Sequence, residues 1–341
     1  MTTIKDVARA AKVSVSTVSL VLNDSSLVKM ETRDKVLKVI KKLDYTPNQY
    51  ARSLVTKTKK IIGVVWPTDN PANNLFSFED NIDTYLAEML PSIEKEINDS
   101  NYSMLVEHFC INDPSVSLPF IMSSNRVDGV LVTGGIVNDA FLEKLMESSI
   151  PTVLVGSRHA ELDYVDTDPE HAIYLSAKYL IENGHRDIMF INGPESSQTS
   201  ERKMKGFVKA MREYGLSVKE GWAMRADYSG IAAYGVMSRS WDRGIKPTGI
   251  IGASDSIAIG ALRFLYERGI YCPKDVSAIG FEDGLLAAYS LPPLTSVRVY
   301  KERIGVEACR VLINRINQPD SEKVRLIIEP SLIVRGSVER V

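Results

Sequence analysis

Side chains able to grip a polar molecule recur directly after short apolar runs of this 341-residue chain. Thr68 and Asp69 follow KIIGVVWP, Ser157 and Arg158 follow PTVLVG, Ser254 and Asp255 follow PTGIIGA, and Glu282 and Asp283 follow DVSAIGF, with Thr199, Lys203 and Tyr228 near two further turns. Hydroxyls, carboxylates and a cation gathered in a water-poor crevice make charge-assisted hydrogen bonds about twice as strong as neutral ones. Any one of them also fits a surface charge or a strand cap; their arrival together favours a ligand site. That chemistry is binding rather than turnover. The chain has no G-x-S-x-G elbow, no G-x-x-x-x-G-K-[ST] phosphate loop and no G-x-G-x-x-G fingerprint, and Ser254–Asp255 is a strand end, not a triad. Cys110, Cys272 and Cys309 have no metal-ligand spacing with one another or with His108, His159, His171 and His185, so reduced thiols, no metal and no cofactor are expected.

Positioning such residues requires a repeated framework. Short β-branched runs alternate with amphipathic stretches: KIIGVVWP, a helix near Leu86–Ser100, YSMLVEHF, a helix near Leu118, VDGVLVTGG, a helix near Ala140, then PTVLVGS. The pattern begins again with a long helix over 169–183, RDIMFINGP, a helix near 204–214, PTGIIGAS, a helix near 257–268 and DVSAIGFED. Alternation of this kind predicts two doubly wound parallel sheets, which bind ligands at the carboxyl ends of their strands. Between the first strand and its helix lies TDNPANNLFSFEDNIDTYLAEMLPS, residues 68–92, a long connection carrying Phe76, Phe78 and Tyr85. Long loops are functional or disordered. Two accounts stay open: a lid whose aromatic rings stack on a sugar or nucleoside, or a surface loop with its rings packed on the first helix.

The first sixty residues differ from the rest. In TIKDVARAAKVSVSTVSLVLN, Ile4, Val7, Ala8 and Ala11 form one apolar stripe and Val15, Val18 and Leu22 another, around a break at Lys12, Val13 and Ser14. Stripes barely two turns long must pack on each other. Ser14 stands at an N-cap, its hydroxyl expected to accept from the backbone of Ser16 or Thr17, and the outward face carries Ser16, Thr17, Ser19 and Leu20. This is the layout of a helix-turn-helix, whose second helix enters the major groove of DNA; a helical hairpin capping a larger domain shares it. Residues 1–60 hold 13 Lys/Arg against 5 Asp/Glu, about +8, while the other 281 residues sum to about −10. A compact basic segment ahead of an acidic body suits phosphate neutralisation. A third helix is predicted over roughly Thr32–Leu43, with Val36, Val39, Ile40 and Leu43 inward; Pro47 ends it, and Asn48 caps a short helix holding Ala51 and Leu54 that is too short to stand alone.

TIKDVARAAKVSVSTVS, TRDKVLKVIKKLDYTPN and ARSL, in that order and spacing, resemble the DNA-binding headpiece of the lac/galactose repressor family. The resemblance implies that Val15, Ser16 and Leu20 read bases, that Ser14, Thr17, Ser19, Asn23, Thr32, Tyr45 and Asn48 hold phosphates, that Thr3 and Ala51 share the interface, and that Leu54 wedges into the minor groove at the operator centre. Many members carry Arg at the Leu20 position and Gly at Lys12. Without that Arg, base reading rests on apolar contact and DNA shape.

GASDSIAIGALR, DVSAIGFED and LPPLTSVR extend the resemblance over the chain. The fold it implies is α/β: two doubly wound parallel-sheet lobes, periplasmic-binding-protein-like, behind a small all-α helix-turn-helix domain. The expected divisions are a headpiece over 1–46, a hinge helix and linker over 47–60, and a core over 61–340, with one lobe at about 61–160 plus 298–322 and the other at about 161–297 plus 323–340. The implied function is a cytoplasmic, homodimeric transcriptional regulator, a repressor, on a near-palindromic operator. Its small polar effector, a sugar or glycoside, would lie between the lobes against Thr68, Asp69, Phe76, Phe78, Ser157, Arg158, Thr199, Lys203, Tyr228, Ser254, Asp255 and Glu282. The family's sugar-binding members generally place Arg, Asn and Asp where this chain has Lys203, Ser254 and Glu282, so a typical pentose or hexose grip is not reproduced, and a nucleoside effector stays open. A solute-binding protein of the same body would need a signal peptide and no basic headpiece. No apolar run approaches the 18 residues of a membrane span, and the short tail after Arg335 favours a dimer over a coiled-coil tetramer.

Overall fold

The computed structural model of the chain describes residues 2–22, 25–45, 58–69, 76–77, 81–82, 84–113 and 117–341, with backbone alone at 76–77, 81–82 and 84. Asn23, Asn48, Ala51, Leu54 and Phe78, named above as site residues, lie outside that set, as do the hinge helix and the side chain of Phe76. The chain divides into two compact units, Met1–Lys59 and Lys60–Val341.

In the first unit, helices α1 (Ile4–Ala11), α2 (Val15–Leu22) and α3 (Met30–Lys42) pack around Val7, Ala8, Ala11, Val18, Val21 and Val36. Asp6 accepts from both the backbone N–H and the hydroxyl of Thr3, at 3.0 and 2.6 Å, which starts α1. The helix stops at Lys12, whose φ of 52° is left-handed, a conformation in which Cβ crowds the following carbonyl oxygen. Ser14 then opens α2, its Oγ accepting from the Thr17 N–H at 3.0 Å. One expectation changes: Val15 leaves the inward stripe and stands 41 % exposed, and Val21 takes its place in the core at 5 %. Val15 and Val21 flank Val18 on opposite sides of the helix, each three residues away, and the core of this unit lies on the Val21 side. In α3 only Val36 is fully buried, with Val39, Ile40, Leu43 and Tyr45 packed at the margin.

The second unit starts with β1 (Ile61–Thr68), followed by the antiparallel pair β2 (Phe76–Ser77) and β3 (Asn81–Ile82). Then come α4 (Thr84–Asp99), β4 (Ser103–Cys110), α5 (Phe120–Ser123), β5 (Gly129–Thr133), α6 (Asp139–Glu147), β6 (Thr152–Val155) and β7 (Asp163–Thr167). The second half runs α7 (Pro169–Glu182), β8 (Ile188–Asn192), α8 (Gln198–Glu213), β9 (Ala223–Arg225), α9 (Gly230–Asp242), β10 (Gly249–Gly252), α10 (Asp255–Tyr266) and β11 (Ser277–Glu282). It closes with α11 (Leu285–Tyr289), β12 (Thr295–Arg298), α12 (Lys301–Asn317), β13 (Arg325–Ile328) and β14 (Ser331–Ile333). One sheet has the order β13-β7-β6-β5-β1-β4 and is parallel throughout; the other, β14-β12-β11-β10-β8-β9, is parallel except at β14. Strands such as Gly129–Thr133 and Ile188–Asn192 are buried at every residue, because helices cover both faces of a parallel sheet and such strands carry no polar alternation.

The lobe boundaries differ from expectation at two places. The expected boundaries put both β7 and β13 in the second lobe, yet they pair with each other and extend the first sheet. A buried ion pair holds them there. Arg315 of α12 meets Asp163 of β7 at 2.8 and 3.0 Å, and its remaining donors reach the carbonyls of Pro319, Ser321 and Glu322. The same Asp163 accepts the Val324 N–H at 2.7 Å, which fixes the entry to β13.

Candidate functional site

Trp66, Pro67 and Thr68 end β1, Thr133 is followed by Gly134 and Gly135, Asp166 and Thr167 end β7, and Phe281 and Glu282 end β11. These carboxyl ends, with Thr199 and Lys203 of α8, Asp227, Tyr228 and Ser254, line a cleft of about 140 Å³ between the two sheets of the second unit. Of the side chains expected to meet an effector, the fold brings Thr68, Thr199, Lys203, Tyr228, Ser254 and Glu282 into this one lining.

Lys203 is 3 % exposed. Its Nζ donates to the Ala253 carbonyl at 2.8 Å and sits 3.8 Å from the Phe281 ring centroid and 5.2 Å from that of Tyr228. Burial pulls its pKa down, and the nearby Tyr228 hydroxyl and Glu282 carboxylate oppose that. Tyr228 takes a left-handed φ of 68° and is held by its hydroxyl, which lies 2.9 Å from Ser200 Oγ and 3.1 Å from Thr199 Oγ1 and Ser197 Oγ. Strained backbone of this kind survives where the surroundings over-determine it. Gly193 is part of that setting, since a Cβ there would come within 2.2 Å of the Tyr228 ring. Ser254 caps α10 by accepting the Ile257 N–H at 3.2 Å. Glu282, with φ 105°, breaks out of β11 to reach the cleft.

Four expected residues take other places. Asp255 turns beneath the cleft, accepting from Ser296 Oγ at 2.6 Å and Gly284 N–H at 2.8 Å. Burial pushes its carboxyl up to about 6 against the pull of those two bonds. Arg158 is spent on its own lobe, with Nε 2.7 Å from Asp166 Oδ2 and Nη2 2.6 Å from the Thr167 carbonyl. Asp69 reaches across to the other lobe and accepts from Ser196 Oγ. Ser157 is fully buried, its Oγ without a hydrogen-bond partner among the described residues. Among the lining residues missed from sequence are Trp66, Asp166, Asp227 and Phe281. Trp66, a position before Pro67 and Thr68, was readable as a strand end; Asp166 was not, because DYVDT alternates charge with apolar residues and gives no buried-strand signal.

Lobe-to-lobe contacts close the cleft. Arg202 of α8 meets Asp166 at 2.6 Å, the Gln198 N–H donates to the Gly135 carbonyl at 2.9 Å, and Gln198 Oε1 accepts the Arg158 N–H at 3.2 Å. On the far side, Glu88 of α4 meets Lys301 at 2.6 Å and accepts the Leu285 N–H at 3.2 Å.

In the first unit the outward face of α2 presents Val15, Ser16 and Leu20, exposed, and Ser19, half-buried, with Leu20 36 % exposed. The Thr17 hydroxyl is paired with Ser14 at 2.8 Å and that of Thr3 with Asp6, so both serve the helix caps. Thr32 and Tyr45 are half-buried.

Residues 3–48 match the model of the bacterial regulatory proteins of the lacI family, and residues 177–338 match a periplasmic binding protein-like domain. The HTH-type transcriptional repressor PurR of Klebsiella pneumoniae (strain 342) is 34 % identical over 344 residues, covering 99 % of this chain and 97 % of its own. The chain belongs to the lacI family. Among solved structures, the transcriptional regulator CelR–cellobiose complex is 27 % identical with a TM-score of 0.72, covering 99 % of this chain and 100 % of its own. The lac repressor dimer bound to operator and the anti-inducer ONPF shares the fold, with a TM-score of 0.85 at 22 % identity over 99 % of each chain. As a lacI-family protein, this chain is a DNA-binding transcriptional regulator with an effector-binding core. Among the described residues, no helix is long and apolar enough to cross a membrane.

Proposed function

We propose that this lacI-family protein is a homodimeric repressor whose operator affinity is set by a neutral, polyhydroxylated effector, a sugar or glycoside, held between the two core sheets, and that it catalyses no reaction. The observation that carries the effector class is the lining itself. Trp66 and Tyr228 bring aromatic rings to the lining, and Thr68, Thr199, Ser254, Asp227 and Glu282 bring oxygens, while the Phe281 ring carries the Lys203 ammonium and Asp166 is held by Arg158 and Arg202. Aromatic faces against C–H surfaces, with convergent acceptors for hydroxyls, suit a sugar ring. The lysine and two arginines near the cleft are offset by three carboxylates, which favours an uncharged ligand over a sugar phosphate. The cellobiose held by the CelR relative is of the same class. A second copy fits the exposed apolar group Leu285, Leu286, Tyr289 and Leu291.

Calorimetry of the full chain against sugars, glycosides, sugar phosphates and nucleosides tests the effector class. A charge-assisted hydrogen bond contributes about 1.5–3 kcal/mol, so Lys203→Met and Glu282→Gln are each expected to weaken the bound ligand roughly ten- to a hundredfold. Operator binding without effector should stay near wild type. A ligand indifferent to both substitutions would place the site elsewhere, and selective binding of nucleosides would replace the sugar reading.

A further inference from the structure

The recognition helix α2 reads VSTVSLVL, without one charged or amide side chain. Guanine and adenine are read in the major groove by bidentate Arg, Lys, Asn or Gln, and none of these is available from this helix. What its outward face offers is two aliphatic side chains, Val15 and Leu20, on either side of the hydroxyls of Ser16 and Ser19. Thr17 adds nothing to base reading, because its hydroxyl is paired with the Ser14 cap. Val15 and Leu20 are five residues apart, about 7.5 Å along the axis at 1.5 Å per residue, or roughly two base-pair steps of 3.4 Å. The unit also exposes Leu27, Met30 and Leu37, but Val15 and Leu20 stand on the helix that enters the major groove, where the apolar feature within reach is the C5-methyl group of thymine.

We infer that the operator half-site is recognised through thymine methyl groups, one packed on Val15 and one on Leu20, about two base pairs apart, with the serine hydroxyls bonding the base edges between them. This rests on the reading of the chain as a DNA-binding regulator and names what that regulator reads. Phosphate contacts from the basic segment supply affinity, and the methyl contacts supply choice. The same face would accept 5-methylcytosine, whose methyl occupies the equivalent position.

The experiment selects binding sequences for the full-length protein from a random-core duplex library, then replaces each selected thymine by deoxyuridine, which deletes only the methyl. Loss of a buried methyl corresponds to about fourfold in affinity. Two positions per half-site should each lose about that much. Leu20→Ala should abolish the deoxyuridine effect at one of them and Val15→Ala at the other; both residues are exposed, and unchanged thermal unfolding would show that the variants remain folded. An enriched sequence bound equally well with uracil, or a methyl effect that neither substitution alters, overturns the inference and leaves the regulator reading standing. If no duplex sequence is enriched at all, the regulator reading falls and the inference falls with it.

Discussion

Asp255 shows how a single buried carboxylate separates stability from binding. It follows the cleft serine, Ser254, in sequence, but it points under the α10 amino terminus and accepts from Ser296 and Gly284. Burial outweighs these bonds and lifts the carboxyl from 3.8 to about 6. The folded state therefore holds a proton that the unfolded chain releases. Its contribution is fully present below pH 3.8 and is lost as pH rises through 6. Asp255→Asn keeps an acceptor and carries no charge, so its melting temperature should change less between pH 4 and 6 than that of the wild type. At pH 7 the gap between the two should have closed or reversed. Scanning calorimetry across that window checks this, and parallel pH profiles would show that Asp255 does not titrate there.

At the scale of elements, a strained helix end and a buried ion pair act in opposite directions. Lys12 closes α1 at φ 52°, where a side chain costs about 1–2 kcal/mol relative to glycine; glycine's greater freedom in the unfolded chain returns part of this. Lys12→Gly should therefore raise the stability of the first unit by a few tenths to about 1 kcal/mol, measured by denaturant titration of the full chain. Arg315→Ala works in the other direction. It strands Asp163 in the interior and frees the carbonyls of residues 319, 321 and 322, and breaking such a pair costs about 3–5 kcal/mol. A loss below about 1 kcal/mol would mean that water replaces the guanidinium. These elements also mark what the sequence could convey. IIGVVWPT and IMFIN are continuous apolar runs, and Ser14 is a cap at the right offset, so the strands, the repeat of the βα pattern and the break between α1 and α2 were legible. DYVDT, AMR and RLII were not, because they are short, polar or at a sheet edge; AMR is defined only by its pairing with β8, and DYVDT and RLII pair with each other across some 160 residues, as Arg315 is paired with Asp163. The same limit applies to the cleft. Glu282 was readable as a strand end, whereas Lys203, expected at one, lies in the second turn of α8; Ser157, Arg158 and Asp255 stand at strand ends too and face elsewhere, and only the direction of the side chain decides between them.

Over the whole molecule, the cleft is closed by contacts that no effector atom makes. Asp166 lines the cleft on one lobe, and it is held both by Arg158 of that lobe and by Arg202 of the other. Cutting Arg202 leaves Asp166 neutralised by Arg158, so the lining keeps its charge while the lobes lose a tie. If effector and operator are coupled through the relative population of closed and open cores, the two ligands must change each other's affinity by the same factor. Arg202→Met should therefore lower the closed population and weaken the effector by the corresponding fraction. It should also shrink, by one common factor, both the effect of effector on operator affinity and the effect of operator on effector affinity. Titrations of operator with and without saturating effector, and of effector with and without operator, give the two ratios independently. Equal ratios that both move toward one would make the Asp166–Arg202 contact part of the switch. Ratios unchanged from wild type, with effector affinity reduced, would make it a wall of the binding site and nothing more.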